Sequence, residues 1–427
     1  MRALKEDFMR YSKSSAIIIL SLFVLVALPL RAQVNQGPTC TYTGKLTASG
    51  KPEVSVLRLT VPGASAPLVI LAGSTVAPAV MSRYLNSNVS VRAKRIRENG
   101  AEIGIAVSDI FPAMSYDNDA VGSGCMHDLE GDANYPSVAN AISTDGSVIV
   151  GRNIGGHAWK YAAGRFTDLG TLGGPTSEAN AVSSDGSVIV GVADTTGSPH
   201  AFRYADGHMS DLGVLSNFTR SRATGVTADG SVIVGTSDYV RGGNIIIKQS
   251  WRYTNGVMQQ VGFDNLEALG VSGDGSTIVG KFYTRDQDFT DSFIGFMLRN
   301  GNMTRIGDFG EAVACSRDGS IIVGTSGQYK NRYHNGQASS MGSFVPTAIT
   351  PDGSVVVGVK NGAAVKYSNG QLKYLGLLGC KLDSSLPQSC DLRSTSWATG
   401  VSSDGKRIVG HSSSHDGTVH PFLYEEE

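Results

Sequence analysis

The sequence predicts an all-β protein, a seven-bladed β-propeller of four-stranded blades preceded by a small all-β domain. An Asp-Gly pair followed by a short apolar segment that ends in Val-Gly occurs seven times between residues 145 and 410, at intervals of 34 to 52 residues, and repeats of this length are typical of propellers and solenoids. Short β-type segments flank each pair, separated by tight-turn dipeptides and without helical periodicity. The chain's 53 glycines and 17% charged residues also suit a turn-rich β protein.

The net charge and the N-terminus restrict the possible partners. A formal net charge of −1 gives no general attraction for nucleic acid. Residues 1–32 resemble a signal peptide, because basic residues precede an apolar run, 16–30, that is short for a membrane span. Cleavage after Ala32 and retention as an uncleaved anchor are both open. We expect export, with membrane contact only through this segment.

Residues 33–123 lack the repeat and indicate a small all-β domain. Residues 54–61 alternate as a strand does, and Asn99-Gly100 between two apolar-patterned segments predicts a β-hairpin.

One blade can be followed in residues 179–215. A strand of small residues, 179–183, turns through Asp185-Gly186 into strand 188–191, and a variable loop leads to strand 200–204. Asp206-Gly207 then turns the chain into strand 209–213. We expect type I′ turns at both Asp-Gly pairs, because this turn needs positive φ at two residues that Asp and Gly tolerate.

The fourth strand is missing from the last repeat. Residues 398–424 end after their third strand, whereas residues 125–130 form an unattached copy of the fourth. Pairing of these two segments would close the ring without an open sheet edge. The sequence therefore predicts a propeller over residues 124–427 that is closed by exchange between its N- and C-terminal strands.

The repeat resembles the bacterial extracellular repeats of the HAF family. Residues 140–174 and 180–215 carry its Asp-Gly-Ser-Val-Ile-Val-Gly and Asp-Leu-Gly segments, and His200-Ala201-Phe202 its namesake run. The late copies at 350–354 and 403–407 are also similar to the propeller repeat of TolB-type periplasmic proteins. Both resemblances imply a propeller in the periplasm, at the cell surface or outside a bacterium. Neither implies an enzyme activity or catalytic positions.

The five cysteines fit an oxidising compartment. Cys380 and Cys390 lie ten residues apart in one loop-like insertion and are the first candidate disulfide. Cys40 and Cys125 bracket the N-terminal region and are the second. Cys315 remains, in a small apolar strand, and is expected to be a packed core thiol.

Motifs for catalysis, cofactors or metals are not found. The sequence has no Gly-x-Ser-x-Gly, phosphate-binding loop, His-Glu-x-x-His or Cys-x-x-Cys. Each Asp-Gly turn offers one carboxylate, fewer than a calcium loop requires. His157, His200 and His420 share one blade position and are expected to be hydrogen-bonded structural residues. We therefore predict no cofactor, no metal and no catalytic residue.

The long connections suggest where function lies. In a four-stranded blade, the second-to-third loops and the connections between blades share one face, and here they are long and variable, at 237–249, 281–292, 377–396 and 412–418. Aromatic and charged side chains in these loops are the candidate binding residues: Tyr239, Arg241, Tyr283, Arg285, Asp286, Asp288 and Phe289.

The leading hypothesis is a monomeric, exported, non-catalytic protein that holds a protein or a glycan on this face. One alternative is a propeller hydrolase or lyase with its active site at the central channel. Another is a cell-envelope scaffold. Several ionisable side chains meeting at the axis would favour an enzyme, whereas a channel lined by Ala, Val, Ser and Gly would favour binding.

Overall fold

A computed structural model shows seven four-stranded antiparallel sheets arranged as blades of a ring. It describes residues 35–49, 56–60, 68–70, 88–98, 101–112, 120–121, 124–129, 137–241, 245–285, 291–306, 309–325, 330–378, 395–413 and 418–426. Every regular element in these ranges is a β-strand, and none of them contains a helix with the length and apolarity needed to cross a bilayer. The predicted seven-bladed propeller is confirmed. Residues 1–32 lie outside the described ranges.

Blades 1 to 6 each use four consecutive strands, and blade 7 combines three C-terminal strands with one N-terminal strand. Blades 1 to 3 consist of β8 (Ser137–Ile142), β9 (Val148–Asn153), β10 (Ala158–Ala162), β11 (Arg165–Gly170); β12 (Ser177–Val182), β13 (Ile189–Asp194), β14 (Pro199–Ala205), β15 (His208–Asp211); β16 (Arg220–Val226), β17 (Val232–Arg241), β18 (Ile245–Thr254) and β19 (Val257–Gln260).

Blades 4 to 7 consist of β20 (Leu266–Val271), β21 (Thr277–Arg285), β22 (Asp291–Arg299), β23 (Asn302–Ile306); β24 (Glu311–Cys315), β25 (Ile321–Thr325), β26 (Arg332–His334), β27 (Gln337–Ser339); β28 (Val345–Ile349), β29 (Val355–Lys360), β30 (Ala363–Ser368), β31 (Gln371–Gly376); β32 (Ser396–Val401), β33 (Arg407–Ser413), β34 (Val419–Glu425) and β7 (Cys125–Asp128). The strands before the propeller are β1 (Asn35–Ser49), β2 (Val56–Thr60), β3 (Leu68–Val69), β4 (Asn88–Glu98), β5 (Ala101–Pro112) and β6 (Ala120–Val121).

The first strand of each blade lies at the axis. These inner strands contact one another around the ring, and β32 closes onto β8. Each contains a β-bulge directly after the residue that pairs with the Val-Ile-Val-Gly glycine, and in five blades the bulged residue is Asn or Thr and bonds to the next blade. Asn140 Nδ2 donates to the carbonyl oxygen of Ala179 at 2.9 Å, and Thr399 Oγ1 donates to that of Ala139 at 2.8 Å. The bulge thus turns one side chain into an inter-blade link in these five blades.

The glycine that ends the Val-Ile-Val-Gly segment permits close packing in every blade. A Cβ atom on Gly191 would lie 1.9 Å from the carbonyl oxygen of Glu178 and 2.8 Å from the ring of Phe202. The same carbonyl conflict, at no more than 2.1 Å, exists at Gly151, Gly235, Gly280, Gly324, Gly358 and Gly410. The third-strand aromatic residues beside it are buried: Phe202 and Trp251 are fully enclosed.

The two Asp-Gly turns of a blade differ, and half of the type I′ prediction is wrong. Asp206 and Gly207 both have positive φ, as type I′ requires. In the turn between the first two strands, φ is positive at Gly186 but not at Asp185, and the Gly186 amide donates to the Ser183 carbonyl. Asp185 stays right-handed because its carboxylate binds the Ser183 and Ser187 hydroxyls and the Ser187 amide.

The ring closes by the predicted strand exchange. β34 pairs with β7 over four residue pairs, from Phe422 opposite Asp128 to Glu425 opposite Cys125. His420 Nδ1 lies 3.0 Å from an Asp128 carboxylate oxygen, as His157 lies 2.9 Å from Asp168 within blade 1. The His-Ala-Phe histidine therefore joins the third strand to the fourth, and in blade 7 it joins the two ends of the chain.

The N-terminal strands continue the propeller sheets. β1 pairs with β7, with Cys40 opposite His127, and β6 adds in parallel to β31. β4 and β5 form the hairpin predicted at Asn99-Gly100. The Cys40–Cys125 disulfide stays a prediction, since the Cys40 side chain is not described, and Cys380 and Cys390 lie outside the described residues.

Candidate functional site: the loop face of the propeller

The antiparallel strands divide the connections between two faces. The turns joining the first to the second strand and the third to the fourth lie on one face, which we call the turn face. The remaining connections lie on the other, which we call the loop face. This assignment agrees with the sequence prediction.

The turn face is closed around the axis by backbone hydrogen bonds. The residue before each Asp-Gly pair lies next to its counterpart in the neighbouring blade. Ser184 N donates to the Ala228 oxygen at 3.0 Å, and Ser403 N donates to the Thr144 oxygen at 2.8 Å across the seam between blades 7 and 1. Pro351, which lacks an N–H, occupies this position in blade 6. The turns are therefore part of the framework.

A cavity of about 120 Å³ lies inside this ring of turns, below the 300–1,000 Å³ of usual ligand pockets. Its lining is mostly small or apolar: Thr144, Val182, Ser184, Val226, Ala228, Gly273, Cys315, Arg317, Ile349 and Pro351. Burial raises the pKa of the Cys315 thiol to about 12, so this free thiol stays protonated and unreactive at neutral pH. This setting agrees with the packed thiol expected from the sequence.

The loop face exposes most of the large apolar side chains that reach solvent. Of the seven such residues in the described ranges, five lie there: Ile154, Phe263, Phe293, Val345 and Trp397. The other two, Phe166 and Val257, lie at the turn-face ends of outermost strands. Exposed apolar side chains concentrated on one surface mark an interaction site more often than scattered ones do.

In each inner strand, one residue pairs with the glycine that ends the Val-Ile-Val-Gly segment. The residue immediately before it lies near the loop-face end of the strand. We call these seven residues the rim: Val138, Glu178, Arg222, Glu267, Glu311, Val345 and Trp397. Blades 2 to 5 supply charged rim residues, whereas blades 6, 7 and 1 supply apolar ones.

An ion-pair network occupies the charged half of the rim. Lys248 Nζ lies 2.7 Å from Glu267 and 3.1 Å from the Tyr283 hydroxyl, and Lys281 Nζ lies 2.6 Å from Glu311. Burial disfavours the charged form of Lys248, but its bonds to Glu267 and Tyr283 outweigh this effect and raise its pKa. The Lys248 amine therefore stays protonated at neutral pH and is no general base.

Aromatic rings extend this network outward. Lys248 lies over the Tyr283 ring at 5.3 Å, and Lys281 lies over the Phe293 ring at 5.0 Å. Tyr283 and Phe293 also contact each other edge to face, with centroids 4.8 Å apart. The charges and rings thereby hold one another in place.

The structure brings only some of the predicted binding residues to this network. Tyr283 belongs to it, and Tyr239 instead packs against Phe218 on blade 3. Arg241 and Arg285 end strands β17 and β21, and their side chains are not described. Asp286, Asp288 and Phe289 lie outside the described residues.

Two of the predicted irregular loops are long β-hairpins. β17 pairs with β18 out to Arg241 opposite Ile245, and β21 pairs with β22 out to Arg285 opposite Asp291. β-branched and aromatic residues continue beyond the usual blade length, and such residues favour pairing over an irregular loop. The loops are therefore extensions of blades 3 and 4.

The rim was not among the sites predicted from the sequence, although its residues vary beside a nearly constant alanine. When the inner strands are aligned, the residue after the rim position is Ala in six blades and Pro346 in the other. The rim position varies among Val, Glu, Arg and Trp. Variation between near-constant neighbours distinguishes an accessible position from a framework position.

Comparisons with known proteins address the fold alone. No family model and no curated protein matches the chain. An oligogalacturonate lyase from Vibrio parahaemolyticus is 10% identical, over 72% of this chain and 95% of its own, with a TM-score of 0.46. A putative TolB from Agrobacterium tumefaciens is 14% identical, over 68% and 83%, with a TM-score of 0.33. An acylaminoacyl peptidase from Pyrococcus horikoshii is 10% identical, over 70% and 53%, with a TM-score of 0.46.

Metal ligands do not cluster in the part of the chain that the structure describes. No group of three or more His, Cys, Asp or Glu side chains there is placed to hold an ion. The histidines of the third strands bond to single aspartates instead.

Proposed function

We propose that this chain is an exported, non-catalytic binding protein that holds a protein or a glycan on the loop face of its propeller. The observation that carries the proposal is the concentration of exposed large apolar side chains there, five of the seven described. Two of them, Val345 and Trp397, belong to the rim, in which Glu267 and Glu311 are paired with Lys248 and Lys281. Apolar anchors beside fixed polar groups are the usual composition of a recognition surface.

The chemistry of the axis supports binding over catalysis. The cavity lining includes two ionisable side chains, Cys315 and Arg317, and the thiol stays protonated. On the loop face, Lys248 and Lys281 are held by carboxylates. A general acid or base needs a pKa near the working pH, and the pKa values of Lys248 and Cys315 are raised far above neutral pH, so both groups stay protonated.

Export is the second part of the proposal. The signal-like pattern of residues 1–32 and the resemblance to extracellular repeats support it. We place the protein in the periplasm, at the cell surface or outside a bacterial cell, acting as a monomer.

One observation favours the scaffold alternative. β1 extends the exchanged blade through its pairing with β7, so the N-terminal strands are attached to the propeller by sheet hydrogen bonds. A module fixed in this way could hold the loop face at a constant orientation on the cell envelope.

The test is affinity capture with variants matched between the faces. Residues 33–427 are immobilised and exposed to envelope and host extracts. A loop-face variant carries Phe263→Ala, Phe293→Ala and Val345→Ala, and the control carries Phe166→Ala and Val257→Ala. We expect the loop-face variant to lose at least tenfold in capture of the bound partner and the control to retain it. Equal capture by all three proteins, or turnover without capture in a glycan and ester substrate screen, would refute the proposal.

A further inference from the structure

Trp397 differs from the other two tryptophans of the chain. Trp159 and Trp251 are 3% and 0% exposed, whereas Trp397 is 42% exposed on an inner strand, where the rest of the strand is packed between blades. Its ring lies parallel to that of His411, at 9° and 6.3 Å between centroids. His411 is directly opposite Trp397 on β33. The stack fixes the indole, so that it offers a preformed apolar surface.

Two polar side chains lie near this surface and reach solvent. The side chains of Arg152 and Glu178 are 37% and 26% exposed, and Arg152 Nε is 3.3 Å from Glu178 Oε1. A guanidinium donates hydrogen bonds and a carboxylate accepts them, so the pair can bind hydroxyl groups of either orientation.

The three blades are tied together at this point. Thr399, two residues after Trp397, donates to Ala139 of blade 1, and Asn140 donates to Glu178 of blade 2 at 3.2 Å. Trp397 and Glu178 are therefore the rim residues on either side of Val138, and Arg152 lies opposite Val138 on β9. The geometry of this section of the rim is set by the same hydrogen bonds that join the inner strands.

The charges in this section cancel. Burial lowers the pKa of His411, and the neighbouring Arg152 lowers it further, so the imidazole is neutral at pH 7. The Arg152 guanidinium is offset by the Glu178 carboxylate. A cation stacked on Trp397 would face Arg152, and an anion would face Glu178. The section instead suits a neutral ligand with one flat C–H face and several hydroxyl groups.

We infer that this section of the rim binds a neutral sugar ring, which stacks on the face of Trp397 opposite His411 and directs its hydroxyl groups to Arg152 and Glu178. The C–H face of a pyranose matches the electron-rich face of an indole. Its hydroxyls donate to a carboxylate and accept from a guanidinium. The inference rests on the proposed binding function and narrows its ligand to a glycan.

The test uses residues 33–427 and four neutral oligosaccharides: cellohexaose, chitohexaose, xylohexaose and maltohexaose. Each is titrated by calorimetry and by tryptophan fluorescence, in which a change upon binding reports Trp397 because the other two tryptophans are buried. We expect at least one to bind with a Kd below about 1 mM. Trp397→Ala should weaken it at least tenfold, Trp397→Tyr should retain most of the affinity, and Phe166→Ala, at the turn-face end of blade 1, should leave it unchanged.

Other outcomes overturn the inference. It is wrong if none of the four sugars binds at 10 mM, if only a charged polyuronate binds, or if Trp397→Ala binds as well as wild type. Glu178→Gln gives a second criterion, since loss of the acceptor charge should weaken binding without altering the thermal melt. If extract capture depends on the loop face while all four sugars fail, the binding function stands and the sugar assignment alone falls.

Discussion

The two faces of this propeller are built from the same repeats but differ in what they expose to solvent. On the turn face, backbone amides bond from blade to blade and each Asp-Gly aspartate is held by a neighbouring hydroxyl and an amide. On the loop face lie five of the seven exposed large apolar side chains of the described residues. The comparison shows that the repeated motif is framework, and that function is expected where the repeats diverge.

The same contrast exists within a single inner strand. The residue that pairs with the Val-Ile-Val-Gly glycine is Ala in six blades and Pro in the seventh, because the glycine brings the two strands into close contact. One residue earlier, the rim position accepts Val, Glu, Arg or Trp. The two adjacent positions differ because the constant one faces the glycine of the second strand, whereas the rim position does not.

The largest expected effect comes from filling the space above a framework glycine. Gly191→Ala should lower the free energy of unfolding by about 3 kcal/mol, since the new methyl group would overlap the Glu178 carbonyl and contact Phe202. Denaturant unfolding followed by circular dichroism measures this loss.

The matched control lies in a loop-face connection. Around Gly197 the nearest atom to an added Cβ is 3.7 Å away, so Gly197→Ala should change stability by less than about 0.5 kcal/mol. Equal losses for both variants would contradict the division into a tight framework and a tolerant loop face.

A smaller effect on stability is expected from a substitution in an Asp-Gly turn of the turn face. Bonds from the Ser187 amide, the Ser187 hydroxyl and the Ser183 hydroxyl lower the pKa of Asp185 to about 2, below the unfolded value of about 3.9. The stabilisation is therefore present above pH 4 and is lost as the pH falls towards 2. Asp185→Asn should melt slightly below wild type at pH 7, and thermal melts should converge at pH 2. A difference that is the same at both pH values would rule out this role of the charge.

The fold was largely predictable, because each blade repeats the same short sequence pattern of strand and turn residues. The count of fourth strands, six where seven were needed, was enough to predict that residues 125–130 complete the last blade, and β7 does so. The continuation of β1 onto β7 was not predictable, since edge pairing between different domains leaves no pattern in either segment.

The candidate site was less predictable than the fold. Length and composition identified Tyr283 and the connections of blades 3 and 4, but their hairpin structure and the Lys248–Glu267 pair depend on register. Trp397 stands beside an insertion in the sequence and gives no sign that it lies at the axis opposite His411. Residues from several blades come together only in the closed ring. Their proximity therefore cannot be inferred from the sequence of any one repeat.

Hydrogen–deuterium exchange with and without the captured partner tests the central claim most directly. If the loop face is the binding surface, protection should increase in the peptides that contain Ile154, Phe293, Val345 and Trp397, and the seven Asp-Gly turns should exchange as in the free protein. Protection confined to the turns, with the loop-face peptides unchanged, would contradict the account.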